Sequence, residues 1–166
     1  MSTQFKIGDK AVYPAHGVGV IKGIESRKIG ETSLDFYVLQ ILSSGATLMV
    51  PTSTSERAGM RGLISESDIK AVYKILKTPG HVSRTTWNRR FREFNDKLRT
   101  GSITDIAEVL RDLVCLRTDK DLSYGEKKML DKALQMLIAE IVASTGSEDA
   151  SVLADIEKTL PLLKQD

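Results

Sequence analysis

The only tryptophan of the chain, Trp87, lies where basic side chains are most concentrated. Four arginines flank it within five residues, namely Arg84, Arg89, Arg90 and Arg92. Cationic side chains neutralise phosphates, and a flat aromatic ring can stack on a base or fill the gap between two base steps. Because these residue types lie so close together, nucleic acid is the first partner that the sequence predicts.

Charge is distributed unevenly along the chain, although the formal net charge of its 166 residues is only +2. Residues 84–99 carry six basic and two acidic side chains, a net charge of +4. Residues 100–166 carry eight basic and thirteen acidic ones, a net charge of −5. The basic cluster is therefore a candidate phosphate-binding surface. A solvated helix face is the alternative, because Glu93 and Lys97 have the i,i+4 spacing of an ordinary surface ion pair.

Two interpretations of Trp87 stay open at this point. At 100° per residue, four side chains fall within about 60° of one another, as in a helix that packs on its neighbours. They are Trp87, Phe91, Phe94 and Leu98. Thr85 and Thr86 are good N-cap residues, however, and would put Trp87 in a first helical turn, where its ring can project beyond the core.

The chain offers few residues for catalysis. Its histidines, His16 and His81, are far apart, and it contains no P-loop, paired-histidine or Gly-x-Ser-x-Gly spacing. His16 lies in a Pro-Ala-His-Gly segment typical of a turn, and Cys115 lies in an apolar run typical of a buried small hydrophobe. We therefore expect no enzymatic activity, no metal ion and no cofactor.

The first third of the chain has the composition of short β-strands. Runs rich in β-branched and aromatic residues alternate with glycine-containing turn signals, and predict strands over 10–14, 17–27, 33–41 and 46–51. A sheet this small must bend to cover its own apolar face. We predict a small Tudor/SH3-like β-barrel or bent sheet, forming a domain over residues 1–62.

The remainder has helical periodicity. Sequences typical of helix N-termini begin at Ser65, Ser102 and Ser123, and Pro79-Gly80 would end the first helix. We predict a compact helical bundle over residues 63–166, so that the whole chain has an α+β fold. No apolar run approaches the roughly 20 residues that span a bilayer, and the N-terminus lacks the apolar core of a secretion signal. A cytoplasmic protein without a membrane partner is therefore expected.

Four segments together resemble the CarD/CdnL family of bacterial transcription regulators. They are FKIGDKAVYPAHGVG at residues 5–19, MVP at 49–51, TWNRRF at 86–91 and LSYGEKKML at 122–130. A barrel like the first segment also occurs in transcription-repair coupling factors, so the tryptophan helix that follows is what distinguishes this family.

The resemblance implies a regulator of transcription initiation with two contacts. The N-terminal domain would bind the RNA polymerase β subunit, and the helical domain would bind promoter DNA without sequence specificity at the upstream edge of the melted region, stabilising the open complex. The implied polymerase contacts are Arg27, Val38, Leu39, Met49 and Pro51. The implied DNA contacts are Trp87 as a wedge with Arg84, Arg89, Arg90 and Arg92. We expect a cytoplasmic monomer that reaches the nucleoid through RNA polymerase.

Two departures from the family pattern refine these expectations. Met49 replaces a basic residue of other members, so apolar contact would replace a salt bridge with the polymerase. The basic Gly-Arg-Pro tail of longer members does not occur in this sequence. The chain therefore resembles the short, CdnL-like form, for which no AT-hook is expected.

Two rival functions come from other classes. A Tudor-like peptide-recognition adaptor without a DNA role would need an aromatic cage, for which Tyr13, Phe36 and Tyr37 are the candidates. An enzyme of an unrecognised kind would need a polar pocket that no motif in the sequence indicates.

Overall fold

The structure is a computed structural model that describes residues 5–80 and 86–164. The chain divides into two compact units, Met1–Leu63 and Ile64–Asp166. The first contains a curled four-stranded antiparallel sheet, a half-barrel, and the second contains five α-helices. The predicted α+β fold class is confirmed. His81, Thr85 and Arg84, the last predicted to contact DNA, lie outside the described residues.

The four strands follow one another in sequence and in space. They are β1 (Lys10–Tyr13), β2 (Gly17–Ile29), β3 (Thr32–Ile41) and β4 (Thr47–Pro51), in the order β1-β2-β3-β4. Gly30, with φ 67°, forms the tight turn between β2 and β3. The register shifts between Ile21 and Gly23, where β2 has one extra residue. Such a bulge increases the local twist, which helps so small a sheet to curl.

One face of the sheet forms the core of the first unit. Because side chains alternate along a strand, Tyr37, Leu39 and Ile41 of β3 all point to this face, where they are buried. They pack with Phe5, Ala11, Ile21, Val50 and Met60. The hydroxyl of Tyr37 accepts a hydrogen bond from the backbone N–H of Phe5 at 3.3 Å, so its polar end is satisfied.

The two edges of the sheet differ. Val12 of β1 exchanges two backbone hydrogen bonds with Arg61, at 2.7 and 3.0 Å, so that edge is covered at this point. Among the described residues, no strand pairs with the outer edge of β4.

The second unit consists of five helices and a terminal 3-10 turn. They are α1 (Glu66–Lys77), α2 (Trp87–Arg99), α3 (Ile103–Asp119), α4 (Tyr124–Thr145) and α5 (Asp149–Thr159), followed by Pro161–Leu163. The predicted caps are confirmed at Ser65, Ser102 and Ser123, whose side chains each accept a hydrogen bond from a backbone N–H three residues on. Each cap satisfies a helix N–H that has no partner within the helix.

Helix α3 lies at the centre of the core of this unit. Its buried residues Ile106, Leu110 and Leu113 belong to one cluster with side chains from the other four helices. Cys115 is only half-buried, contrary to the prediction of a buried side chain.

Gly19 of β2 is packed too closely for any side chain. A Cβ atom there would lie 2.8 Å from Leu39 Cδ1 and 2.9 Å from the carbonyl oxygen of Gln40. We expect Gly19→Ala to lower the free energy of unfolding by about 1–3 kcal/mol, the usual effect of overpacking a core. Gly23→Ala on the same strand is the matched control, because a Cβ there meets nothing within 4 Å. Urea unfolding of both variants measures the difference, and equal stabilities would contradict this account of Gly19.

Candidate functional site

The apolar stripe of α2 passes from the core to the surface. Phe94 and Leu98 are buried, Phe91 is half-buried, and Trp87 in the first turn is 42% exposed. Thr86 caps the helix, its hydroxyl accepting a hydrogen bond from the N–H of Arg89 at 3.4 Å. The two sequence interpretations therefore apply to different parts of one stripe: its C-terminal part belongs to the core, and Trp87 is an exposed group at the helix tip.

Although exposed, the indole of Trp87 has defined contacts. Its Nε1–H donates a hydrogen bond to Ser123 Oγ at 3.2 Å. Its ring stacks on Phe91, with centroids 5.1 Å apart and an interplanar angle of 18°. Phe91 in turn packs against Gly125, where a Cβ atom would lie 3.1 Å from Phe91 Cε2. The absence of a side chain at Gly125 thus allows α2 to approach the first turn of α4.

The same serine is the N-cap of α4. Ser123 Oγ accepts a hydrogen bond from the N–H of Glu126 at 3.2 Å, and Glu126 Oε1 accepts one from the N–H of Ser123 at 3.1 Å. This is a complete capping box. The sequence predicts the cap, but it gives no signal that the cap also binds Trp87, which lies 36 residues away.

Arg90 occupies a different environment from its arginine neighbours. It is only 8% exposed, and its Nε and Nη2 each donate to Glu126 Oε2 at 3.3 Å. The expectation that Arg90 offers a surface charge to phosphate therefore does not fit its position. It lies three residues after Trp87, on the face of α2 turned towards α4, and a buried carboxylate requires a positive partner.

Glu126 is fully buried. Burial alone would raise the pKa of this carboxyl group, but hydrogen bonding by Ser123 and the positive charges of Lys120 and Arg90 together hold the pKa of Glu126 below its ordinary value. Lys120 Nζ lies 3.8 Å from Glu126 Oε1. The carboxylate is therefore ionised at neutral pH.

Exposed cations occur on two helices near Trp87. The side chain of Arg89 is 70% exposed and lies 3.5 Å from Glu93, while Arg92 is exposed and forms no ion pair with any described residue. In the first turns of α4, Lys127 and Lys128 are also exposed. The sequence gives no separate signal for these lysines, although the segment LSYGEKKML contains them.

An exposed aromatic ring accompanies the lysines. Tyr124, directly after Ser123, is 74% exposed, and Lys128 Nζ lies 4.7 Å from its ring centroid. Lys128 also lines a shallow groove between α2 and α4 together with Phe91 and Asn95. Aromatic faces and cations thus alternate across this end of the second unit, which is suited to a nucleic-acid backbone with partly unstacked bases.

Four of the five predicted polymerase contacts lie on the outer face of the sheet. Val38 is paired with Met49, and Pro51 is paired with Phe36, which is not one of the predicted contacts. Val38, Met49, Pro51 and Phe36 are half-buried on the face opposite the core. Arg27 lies on the same face, where its guanidinium is 3.3 Å from Glu25. We call Phe36, Val38, Met49 and Pro51 the outer patch.

Leu39 is not part of this surface. It is fully buried in the core, because neighbouring residues of a strand point to opposite faces and Val38 is on the outside. Its backbone is also paired on both sides, with Ile21 and Leu48. Contrary to the prediction, the side chain of Leu39 is therefore not presented to a partner.

The same alternation separates the aromatic residues proposed for a peptide-binding cage. Tyr37 is fully buried, and its neighbour Phe36 points to the outer face. The three candidates, Tyr13, Phe36 and Tyr37, therefore do not line one cage. Within residues 5–80 and 86–164, no cluster of three or more potential metal ligands occurs, and no helix is long and apolar enough to cross a membrane.

These features define a two-unit binding protein with an outer patch on its sheet and an indole among cations on its helical unit. Residues 5–64 match the family described as "CarD-like/TRCF RID domain", and residues 71–157 match "CarD, C-terminal domain". The chain belongs to the CarD/CdnL family.

One relative, matched over nearly its whole length, agrees with this assignment. "Putative transcription factor YdeB" of Bacillus subtilis (strain 168) is 34% identical over 148 residues, which span 89% of this chain and 97% of that protein. The solved structure "CdnLNt from Myxoccoccus xanthus" is 47% identical, covers 40% of this chain and 93% of its own, and has a TM-score of 0.33. Family membership gives the chain a role in transcription.

The buried position of Glu126 predicts a pH-dependent contribution to stability. Glu126→Gln can keep the capping geometry but removes the charge that Arg90 requires, so we expect a loss of about 1–3 kcal/mol at pH 7. The folded-state pKa lies below the unfolded value of about 4.3, so the contribution is present above that value and disappears as pH falls through the folded-state pKa.

Urea unfolding between pH 7 and pH 3 measures this difference. Asp68→Asn is the matched control, because Asp68 has the same position in the exposed capping box of α1. A gap between wild type and Glu126→Gln that does not narrow with acid would contradict the role assigned to the carboxylate.

Proposed function

We propose that this protein regulates transcription initiation by holding two partners. The first unit binds the RNA polymerase β subunit through the outer patch and the edge of β4. The second unit contacts promoter DNA without sequence specificity, with Trp87 as a wedge at the upstream edge of the melted region, and so stabilises the open complex. The observation that carries this proposal is an exposed yet firmly held indole among cations.

The polymerase contact is supported by the chemistry of the sheet surface. Met49 and Pro51 belong to β4, whose outer edge is open among the described residues, and Val38 adjoins them on β3. An open edge can accept another strand, and half-buried apolar side chains beside it add contact area. The match of residues 5–64 to the RID family supports assigning the polymerase contact to this unit.

The DNA contact needs an anchor to be effective. Four exposed cations, Arg89, Arg92, Lys127 and Lys128, touching about four phosphates would give a salt slope near −3.6 and, alone, a Kd of about 10⁻⁴ to 10⁻⁶ M. Attached to polymerase, the same surface meets DNA at an effective concentration that reaches about millimolar. The weak DNA-binding surface is then occupied at initiation complexes, and the polymerase and its sigma factor determine which promoters are used.

The wedge acts where stacking has already been lost. An indole that stacks on a base at the junction of duplex and bubble contributes about 1–3 kcal/mol. Since 1.4 kcal/mol corresponds to a factor of ten, this shifts the open-complex equilibrium about five- to a hundredfold. No base-specific hydrogen bond is required, so one protein can act at many promoters.

Removal of the wedge tests the proposal. We expect Trp87→Ala to shorten the lifetime of the open complex about five- to a hundredfold. The free energy of unfolding should fall by only about 1–3 kcal/mol, because the lost aromatic pair and the lost hydrogen bond to Ser123 each contribute about 0.5–1.5 kcal/mol. The measurement is promoter-complex decay with matched polymerase after competitor challenge. Leu162→Ala, which truncates another exposed apolar side chain of this unit, is the control. An unchanged lifetime with Trp87→Ala would refute the wedge.

The outer patch makes a separate prediction. Met49→Glu places a charge in the proposed apolar contact, and we expect it to weaken binding to the polymerase β subunit about tenfold or more, while Met49→Leu keeps affinity. Leu42→Glu, at an exposed position after β3, is the control. Surface plasmon resonance with immobilised β subunit gives the affinities. Equal binding by Met49→Glu and wild type would place the interface elsewhere.

A further inference from the structure

We infer that Ser123, Glu126 and Arg90 are positioning residues for Trp87, which together hold the wedge in its binding orientation before DNA arrives. The inference rests on the proposed function, because Trp87 is the DNA wedge only in that proposal. The three residues act on the indole and do not themselves contact DNA. It adds that the free protein already presents the indole in one orientation.

Two contacts hold the indole ring of Trp87 in place. The hydrogen bond from Nε1 to Ser123 fixes one edge of the indole, and the stack on Phe91 fixes its plane. A tryptophan in the first turn of a helix otherwise has two free side-chain torsions. With the edge and the plane both fixed, the ring has a single orientation even though much of it is exposed.

The carboxylate of Glu126 connects Ser123 to α2. Glu126 Oε1 accepts from the backbone N–H of Ser123, and Glu126 Oε2 accepts from Arg90 on α2. One side chain therefore ties the turn that carries Ser123 to the helix that carries Trp87. Since Arg90 and Trp87 lie one turn apart on the same face of α2, the distance between the indole and its acceptor depends on this pair.

A comparison within the same unit indicates that this arrangement exceeds what a helix cap needs. The capping box of α1 uses Ser65 and Asp68, both exposed to solvent. The capping box of α4 has the same backbone function, yet its carboxylate is fully buried and paired with a buried arginine. Buried ion pairs add little net stability compared with apolar packing, but they are strongly directional. A directional ion pair can therefore fix the orientation that an exposed wedge needs.

Pre-ordering the ring has a measurable consequence. A side chain that is already immobilised loses less freedom on binding, which favours the complex by about two- to tenfold for one side chain. Loss of the network should therefore reduce open-complex lifetime by about this factor, less than loss of the indole itself.

The test uses the fact that Trp87 is the only tryptophan, so intrinsic fluorescence reports on it alone. In Ser123→Ala, we expect greater fast depolarisation and stronger acrylamide quenching in the free protein, and an open complex about two- to tenfold shorter-lived. Ser65→Ala is the matched control, because it removes the equivalent hydroxyl from α1 and should leave both fluorescence measurements and the lifetime unchanged. Ser123→Thr keeps the hydroxyl and should retain wild-type behaviour.

A second variant separates the cap from the acceptor. Ser123→Gly keeps an acceptable N-cap, so the helix start is largely preserved, but it cannot accept the indole hydrogen bond. We expect it to behave like Ser123→Ala in fluorescence and lifetime, with melting temperature close to that of the wild type by circular dichroism.

Two results would overturn the inference. One is indole mobility in Ser123→Ala and Ser123→Gly equal to that in Ser65→Ala. The other is a mobile indole with an unchanged open complex, which would make the network purely structural. The proposed function fails by a different result, namely an unchanged lifetime in Trp87→Ala, and the fluorescence comparison needs neither DNA nor polymerase.

Discussion

The buried carboxylate of Glu126 holds α2 against the start of α4. Glu126 has no contact with solvent, so each of its oxygens needs a donor, and these donors come from different places: the backbone of its own helix turn on one side and the guanidinium of Arg90 on the other. Satisfying the charge therefore fixes α2 against the start of α4. The same constraint sets the position of the exposed indole, because Trp87 precedes Arg90 by one turn.

The sheet unit depends on a different constraint, the two-residue period of a strand. Every second side chain of β3 is needed to fill the core, and the residues between them are left for the outside. The outer patch is thus set by the same pattern that builds the core. The extra residue in β2 between Ile21 and Gly23 keeps this pattern compatible with a curled sheet.

Local features of the fold could be predicted from the sequence, because they depend on neighbouring residues. The strands, the capping serines and the apolar stripe of α2 are of this kind. Leu39 does not fit its predicted role, and the two-residue period of a strand already indicates this, since Val38 and Leu39 cannot share a face. The pairing of Arg90 with Glu126 could not be predicted, because 36 residues separate them. In the sequence, each resembles an ordinary charged residue of a helix surface.

The asymmetry of the sheet edges limits how far strand addition can extend. A strand that joins β4 meets a sheet whose opposite edge is already engaged at Val12 by Arg61. Edge-to-edge growth into fibrils needs two free edges on every molecule. Because Arg61 already takes the backbone N–H and C=O of Val12, the β1 edge offers less backbone for such growth than the open edge of β4.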